Sequence, residues 1–256
     1  LLSERQQHCL DGIGIRLWRT RPSSTADGRA DSIPATVTAE PVAPAIEPVV
    51  VTQPRPVTPA SAPIDVEAFQ LDDWPQLEAA IESCSNCELA QSCTRKVPGK
   101  GSQQADLMII GEAPGHEEDR QGKPFVGRAG QLLDRMLQAI DLDPAAVYIT
   151  NILKCRPPNN RDPRADEVAA CAQFLNAQIR LLQPRVIFSV GRVSAHNLLD
   201  NQTPVGRLRG QSFTLPNSDI PLRVTYHPAY LLRNPAEKAK AWEDLKALKR
   251  LLNGST

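Results

Sequence analysis

The chain has 256 residues, and 29 Lys plus Arg balance 29 Asp plus Glu. That length suits one good-sized domain or two small ones. Zero net charge excludes a protein that holds nucleic acid by bulk attraction, so any such contact must come from local loops. No run approaches about 18 apolar residues, which excludes a membrane span, and the first residues lack the charged and apolar regions of an export signal. A cytoplasmic protein is expected, a monomer with no membrane attachment.

Residues 1–21 hold SERQQHCLDGIGIRLWRTR, readable as one short helix ending at Gly12 or Gly14. Leu10, Ile13, Ile15, Leu17 and Trp18 are many apolar groups for a free tail. Either the segment docks on a partner or it packs back on the protein. Residues 22–67 are Pro- and Ala-rich, with nine prolines between 22 and 63 and no aromatic between Trp18 and Phe69. Such a composition cannot bury enough apolar surface to offset chain entropy, and it predicts a disordered tether.

From residue 68 to 256 the text becomes globular. DDWPQLEAAIESC predicts a helix, and ADLMIIG a buried strand. GRAGQLLDRMLQAI carries Leu132, Leu133, Met136, Leu137 and Ile140 at helical spacing. VYITN is a second strand, RADEVAACAQFLNAQIRLLQ a long helix, and RVIFSVG a third strand before a short helix at RVSAHNLL. QSFTL reads as an antiparallel or edge strand, LRVTYH as the last core strand, and PAEKAKAWEDLKALKRLL as a closing amphipathic helix. This alternation predicts a three-layer α/β/α domain around a mainly parallel four-stranded sheet.

In such sheets ligands bind outside the carboxyl ends of the strands. Three informative loops fall there, after Ile110, Thr150 and Tyr226. The first, GEAPGHEEDRQGKPFVGRAG, is far longer than the usual connector of about 2–6 residues. Two carboxylates, two glycine turns and the lone aromatic Phe125 suggest that it holds a ligand.

The cysteines form a second pattern. Cys84 and Cys87 are separated by two residues, and Cys155 and Cys171 by fifteen. Four thiolates suit zinc or an iron–sulfur cluster, and spacing alone does not choose between them. The plain alternative makes Cys155 and Cys171 incidental buried thiols. Cys93 competes for a ligand position without a partner at short spacing, and Cys9 lies far away in the leading segment.

Taken together, GEAPGHEED…GKPFVGRAG, TNILKCRPPNNR and TYHPAYLLRNP resemble the family 4 uracil-DNA glycosylases, over roughly residues 75–250. The resemblance implies a [4Fe-4S] cluster on Cys84, Cys87, Cys155 and Cys171. It implies a monofunctional enzyme that flips uracil out of DNA and hydrolyses its N-glycosidic bond, leaving an abasic site. Its DNA is single- or double-stranded. Uracil would be bound by Gly111, Glu112, Ala113, Glu118, Phe125, Asn151 and His227. Phe125 would be the stacking platform, and base–aromatic stacking contributes about 1–3 kcal/mol. Asn151 would read the N3–H and O4 edge with its carbonyl and NH2. His227 would stabilise charge on the departing base by a hydrogen bond at O2. Catalysis would rest on Glu112 and His227. DNA would meet Arg156, Asn160, Arg161, Tyr230, Leu231 and Arg233, with Leu231 as the wedge filling the vacated stack and Arg164 beside Arg156 and Arg161 on phosphates.

The first loop departs from the Gln-Asp-Pro-Tyr-His segment of family 1 enzymes. Ala113 stands where that family has its water-positioning Asp, and Gly115 where it has the Tyr that blocks the thymine methyl. Water positioning would then fall to backbone carbonyls or Glu112, and thymine exclusion to Glu118. Glu112, Glu118 and Asp119 have a plainer reading as turn caps or partners of Arg128. A non-catalytic DNA-binding module of the same fold is the alternative function. A covalent uracil trap would need a His-bearing insertion that CRPPNNRDPR lacks. Finally, LDGIGIRLWRTRP is similar to the N-terminal peptide of the psi subunit of bacterial DNA polymerase III, sharing Leu10, Gly14, Ile15, Trp18 and Arg21. That likeness implies a clamp-loader contact through residues 8–22.

Overall fold

The computed structural model describes residues 71–254, together with Glu4, Gln7, Asp11, Gly12, Gly14 and Ile15. The expected tether at 22–67 lies outside the described residues.

Six strands form one sheet: β1 (Lys100–Gly101), β2 (Leu107–Gly111), β3 (Tyr148–Asn151), β4 (Val186–Val190), β5 (Phe213–Thr214) and β6 (Pro221–Thr225), in the order β1-β3-β2-β4-β6-β5. The middle four run parallel. Two-residue strands close both edges antiparallel, so the expected four-stranded sheet is six-stranded. β5 is the edge strand foreseen in QSFTL. β1 carries no apolar alternation over its two residues, and only its pairing with β3 reveals it.

Every residue of β2, β3 and β4 is buried, because a parallel strand is covered on both faces. Alternation at a period of two sends Leu107 and Ile109 to one side, and Met108 and Ile110 to the other. On the first side lie α4 (Arg128–Ala139) and α9 (Lys238–Leu252). Their apolar residues recur at three and four, as with Leu133, Met136 and Leu137, or Leu245 and Leu248. The second side is covered by α5 (Ala165–Leu182) and α6 (Arg192–Leu199). A smaller cluster joins α1 (Trp74–Ser83) to Phe174 and Ala177 of α5 and gathers the cysteines. Asp73 caps α1, its carboxylate accepting from the Gln76 N–H at 2.8 Å. Among the described residues, no helix is long and apolar enough to cross a membrane.

In the leading segment, Ile15 packs on the apolar cluster of α4 and α9, and the Gly12 carbonyl accepts from Arg135 at 3.2 Å. Leu10, Trp18 and Arg21, which carry the psi-like pattern, lie outside the described residues.

The connections set the position of the site. From β2 the chain crosses to β3 on one side, and from β4 to β6 on the other. The strand order therefore reverses between β2 and β4, and a crevice opens outside their carboxyl ends.

Candidate active site

A cleft of about 840 Å³ occupies that crevice, within the range of small-molecule sites. It is lined by the loops after β2, β3, β4 and β6, including Glu112, Phe125, Asn151, Arg192 and His227.

The loop after β2 and the loop after β3 are stitched as a continuation of the sheet. Ile152 donates to the Gly111 carbonyl at 3.0 Å, and Leu153 to the Glu112 carbonyl at 3.1 Å. Asn151 thus sits opposite Gly111 in the last rung of the β2–β3 ladder, buried. A Cβ on Gly111 would come within 2.4 Å of Asn151 Oδ1 and 2.8 Å of two Phe125 ring carbons. Glycine is therefore required there, and its bare Cα lets the amide and the ring approach each other.

Phe125 adopts φ 51°, a left-handed conformation costly for a bulky L-residue. Several contacts hold it. Glu118 Oε1 accepts from the Val126 and Gly127 N–H groups at 2.9 and 3.0 Å. Lys100 Nζ donates to the Phe125 carbonyl at 3.0 Å. Gly130 packs so tightly on the Phe125 backbone that any Cβ would meet that carbonyl oxygen at 1.9 Å. Glu118 is thus a stitch between α3 (His116–Gln121) and the Phe125 turn. Of the two plainer alternatives for Glu118, turn cap or Arg128 partner, these bonds are those of a turn cap.

His227 lies across the cleft, its ring 5.7 Å from that of Phe125. It caps α8 (Pro228–Arg233), with Nδ1 accepting from the Ala229 N–H at 3.1 Å. An accepting Nδ1 leaves the proton of a neutral ring on Nε2. Burial, reinforced by Arg233 and opposed by Glu118, lowers the His227 pKa to about 4. Gly191, at φ 102°, leaves room for this ring, since a Cβ there would lie 2.9 Å from His227 Cβ.

Asp119 accepts from the Thr94 and Arg95 N–H groups, so it is structural. Glu112 remains at the cleft wall, where burial and the nearby Asp162 raise its carboxyl pKa and Arg192 opposes them.

Several expected DNA contacts are placed differently. Leu231 is 1% exposed and belongs to the α4–α9 core. On α8, Pro228 and Leu231 share the inward face, while Tyr230 and Arg233 share the outward one, as i and i+3 must. Leu231 in this position is a core residue rather than a projecting wedge. Arg161 pairs with Glu167 at 2.5 Å, and Arg164 with Glu88 at 3.2 Å. Arg156 Nε donates to Asn160 Oδ1 at 2.8 Å. Of the three arginines expected on phosphates, Arg161 and Arg164 are thus engaged by carboxylates of the chain itself.

The thiols of Cys84, Cys87, Cys155 and Cys171 line one small cavity with Ile81, Leu89, Leu153 and Phe174. The Lys154 backbone N–H points at Cys171 Sγ, 3.3 Å away. Burial pushes the Cys155 and Cys171 thiols up, and among the charges near Cys171 Lys154 opposes that shift. Four cysteines line this apolar corner, one of them holding an N–H···S bond, and their residue type suits a group that takes thiolate ligands, although among the described residues no three of them stand as a ready metal-binding group. Cys93 interacts with Cys155 but does not line this cavity.

A sequence profile described as "Uracil DNA glycosylase superfamily" matches residues 98–246. That span holds β1 through most of α9 and every residue named above at the cleft. The chain belongs to the uracil-DNA glycosylase superfamily. It is 40% identical over 188 residues to the Type-4 uracil-DNA glycosylase of Sulfurisphaera tokodaii, covering 71% of this chain and 86% of that protein. It is 42% identical over 177 residues to that of Archaeoglobus fulgidus, covering 67% and 89%. It is 38% identical over 177 residues to that of Thermotoga maritima, covering 67% and 91%.

Within this superfamily member, sequence reasoning overlooked Lys100, Lys154, Asp162, Arg192 and the start of the short helix Val205–Leu208, with its cap Pro204, at the cleft or beneath it. One signal was available. The reversal of strand order points at the loop after β4 as firmly as at the loop after β2, and Gly191-Arg192 is that loop. Lys100 had none, because its role depends on a 25-residue separation in sequence.

Proposed function

We propose that this chain is a monofunctional uracil-DNA glycosylase that excises uracil and leaves an abasic site, with a [4Fe-4S] cluster held by Cys84, Cys87, Cys155 and Cys171. The single observation that carries the reading is the convergence of Asn151, Phe125 and His227 on one cleft, around Gly111 and Gly191, in a chain of this superfamily.

The base leaves the stack at a cost of a few kcal/mol and is received on the face of Phe125. Asn151, fixed at the end of β3, offers its Oδ1 to uracil N3–H and its NH2 to O4. Cytosine presents the opposite pair and leaves both amide groups unmatched, which is the costly kind of mismatch. As the glycosidic bond lengthens, negative charge collects on the base and positive charge on the sugar. His227 stays neutral at working pH and donates Nε2–H toward O2. A neutral donor whose acceptor nitrogen is already committed needs no reorganisation at that moment. Glu112 takes the role of orienting water and facing the cationic sugar. Its raised pKa makes the ionised form dominant only above the ordinary carboxylate range. Glu118 supports the platform turn rather than the base itself. Tyr230 and Arg233 are the side chains that α8 presents to DNA. The cluster, when bound, supplies structural cross-linking of the Cys155–Cys171 loop to the Cys84–Cys87 turn and no step of the hydrolysis.

The test is uracil release from a labelled oligonucleotide with one central uracil, followed by alkaline cleavage at the abasic site. Turnover is expected, with Asn151→Ala reducing it about 10²–10³-fold. Absence of release by protein with full iron content would overturn the enzyme reading and leave the DNA-binding module. The rate should rise with pH along a limb above the usual carboxylate range, and Glu112→Gln should remove that limb.

A further inference from the structure

Lys154 is among the largest fully buried side chains of the described residues, 2% exposed. Its Nζ donates to Thr150 Oγ1 at 2.7 Å, the Asn151 carbonyl at 2.7 Å and Gln178 Oε1 at 2.8 Å. Three oxygen acceptors use all three N–H bonds of an ammonium. The acceptors are themselves anchored. Thr150 Oγ1 donates to the Pro98 carbonyl at 2.8 Å. Gln178 Nε2 donates to the same carbonyl at 2.7 Å and to the Tyr148 hydroxyl at 3.1 Å. The backbone of Lys154 faces the thiol corner through its N–H on Cys171 Sγ, and its carbonyl accepts from Val97 at 2.8 Å.

An ammonium taken fully out of water carries a penalty of several kcal/mol, and an apolar residue of similar size would often serve stability better. A buried cation kept at this point calls for a role beyond packing. One of its three bonds falls on the backbone of Asn151, the residue that reads the base, and its own backbone binds the corner of Cys155 and Cys171.

We propose that Lys154 is a positioning residue for uracil recognition: its ammonium fixes the Asn151 backbone and so ties the base-reading amide to the thiol-bearing loop. The inference rests on the uracil reading above. The ammonium touches neither base nor sugar, so it acts only through Asn151. The Asn151 carbonyl would otherwise turn toward any available donor, and its carboxamide would leave the rung opposite Gly111. A displacement of about 1 Å at such a group is enough to cost about 10²-fold in rate.

The experiment is a double-mutant cycle on the full chain with Asn151→Ala and Lys154→Met, read as single-turnover uracil release at saturating enzyme. Iron and sulfide per chain and affinity for uracil-containing DNA are measured alongside. Lys154→Met is expected to slow release about 10–100-fold at unchanged iron content and DNA affinity. In the Asn151→Ala background the same substitution is expected to change the rate less than about twofold, since coupled residues are not additive. Equal fold-losses in both backgrounds would overturn the proposal. So would loss of iron from the Lys154 variant, which would make the lysine a support of the thiol corner. Should Lys154→Met fail to fold, Lys154→Leu, which also removes the donor, enters the same cycle with the same criteria. A wild-type protein that releases no uracil would sink the enzyme reading itself, whereas an active wild type with an additive cycle would sink only the role of Lys154.

Discussion

Asn151 and Phe125 meet at the same glycine, yet they are placed by opposite means. Asn151 ends a buried parallel strand, and regular ladder geometry aims it without strain. Phe125 sits at φ 51° in a turn that Glu118, Lys100 and Gly130 hold from three sides. The edge that reads hydrogen bonds is placed by secondary structure, whose register tolerates no slip, and its backbone carbonyl is then held by the Lys154 ammonium. The face that stacks is positioned by tertiary contacts. The difference matches the demands made on each. A hydrogen bond weakens steeply with angle, whereas stacking on a flat ring tolerates small displacements.

Gly111→Ala attacks both placements at once, because its Cβ collides with Oδ1 of Asn151 and with the Phe125 ring. It should cost about 10²-fold or more in uracil release with a fall of a few degrees in melting temperature from the overpacking, and a wild-type rate would show that the two side chains do not meet over this glycine. Phe125→Ala removes only the stacking face. A stacking contribution of about 1–3 kcal/mol predicts a loss of about 5–150-fold in kcat/KM, with uracil-over-cytosine discrimination kept by Asn151. Loss of discrimination in that variant would mean that the ring, not the ladder, aims the amide. Lys100→Met loosens the Phe125 turn from one side only, so the loss should be about threefold and reside in KM, as remote support predicts.

A pH experiment separates a third element from this pair. His227 has its folded pKa lowered from 6.5 to about 4, because burial disfavours the imidazolium. The unfolded chain therefore binds a proton that the folded chain refuses. The stability this residue confers is fully present above about 6.5 and is lost as pH falls toward about 4. His227→Gln should flatten that part of the stability profile, measured by chemical denaturation at successive pH values. An unchanged slope would show that other groups govern acid unfolding.

The α/β alternation, the closing amphipathic helix and the edge strand at QSFTL were legible in sequence because each is a local pattern of period two or near 3.6. The site segments were legible because they cluster just past strand ends, where ligands bind. What sequence left open were choices made by partners distant in the chain. Leu231 and Tyr230 are neighbours in one motif, and only the seating of α8 on the core decides that Leu231 faces inward. Arg161 and Arg164 read as phosphate contacts until α5 and the Cys87 turn bring Glu167 and Glu88 beside them. Lys100 joins a two-residue edge strand to the Phe125 carbonyl, which no periodicity announces. Composition, spacing and period thus determined the class of fold, the candidate ligands and the place of the loops, since those depend on backbone geometry repeated along the chain. Tertiary structure alone decided which charges are spent within the protein, which side of α8 meets solvent, and that a buried lysine lies between the base reader and the thiols, because each depends on burial and on pairs of atoms far apart in sequence.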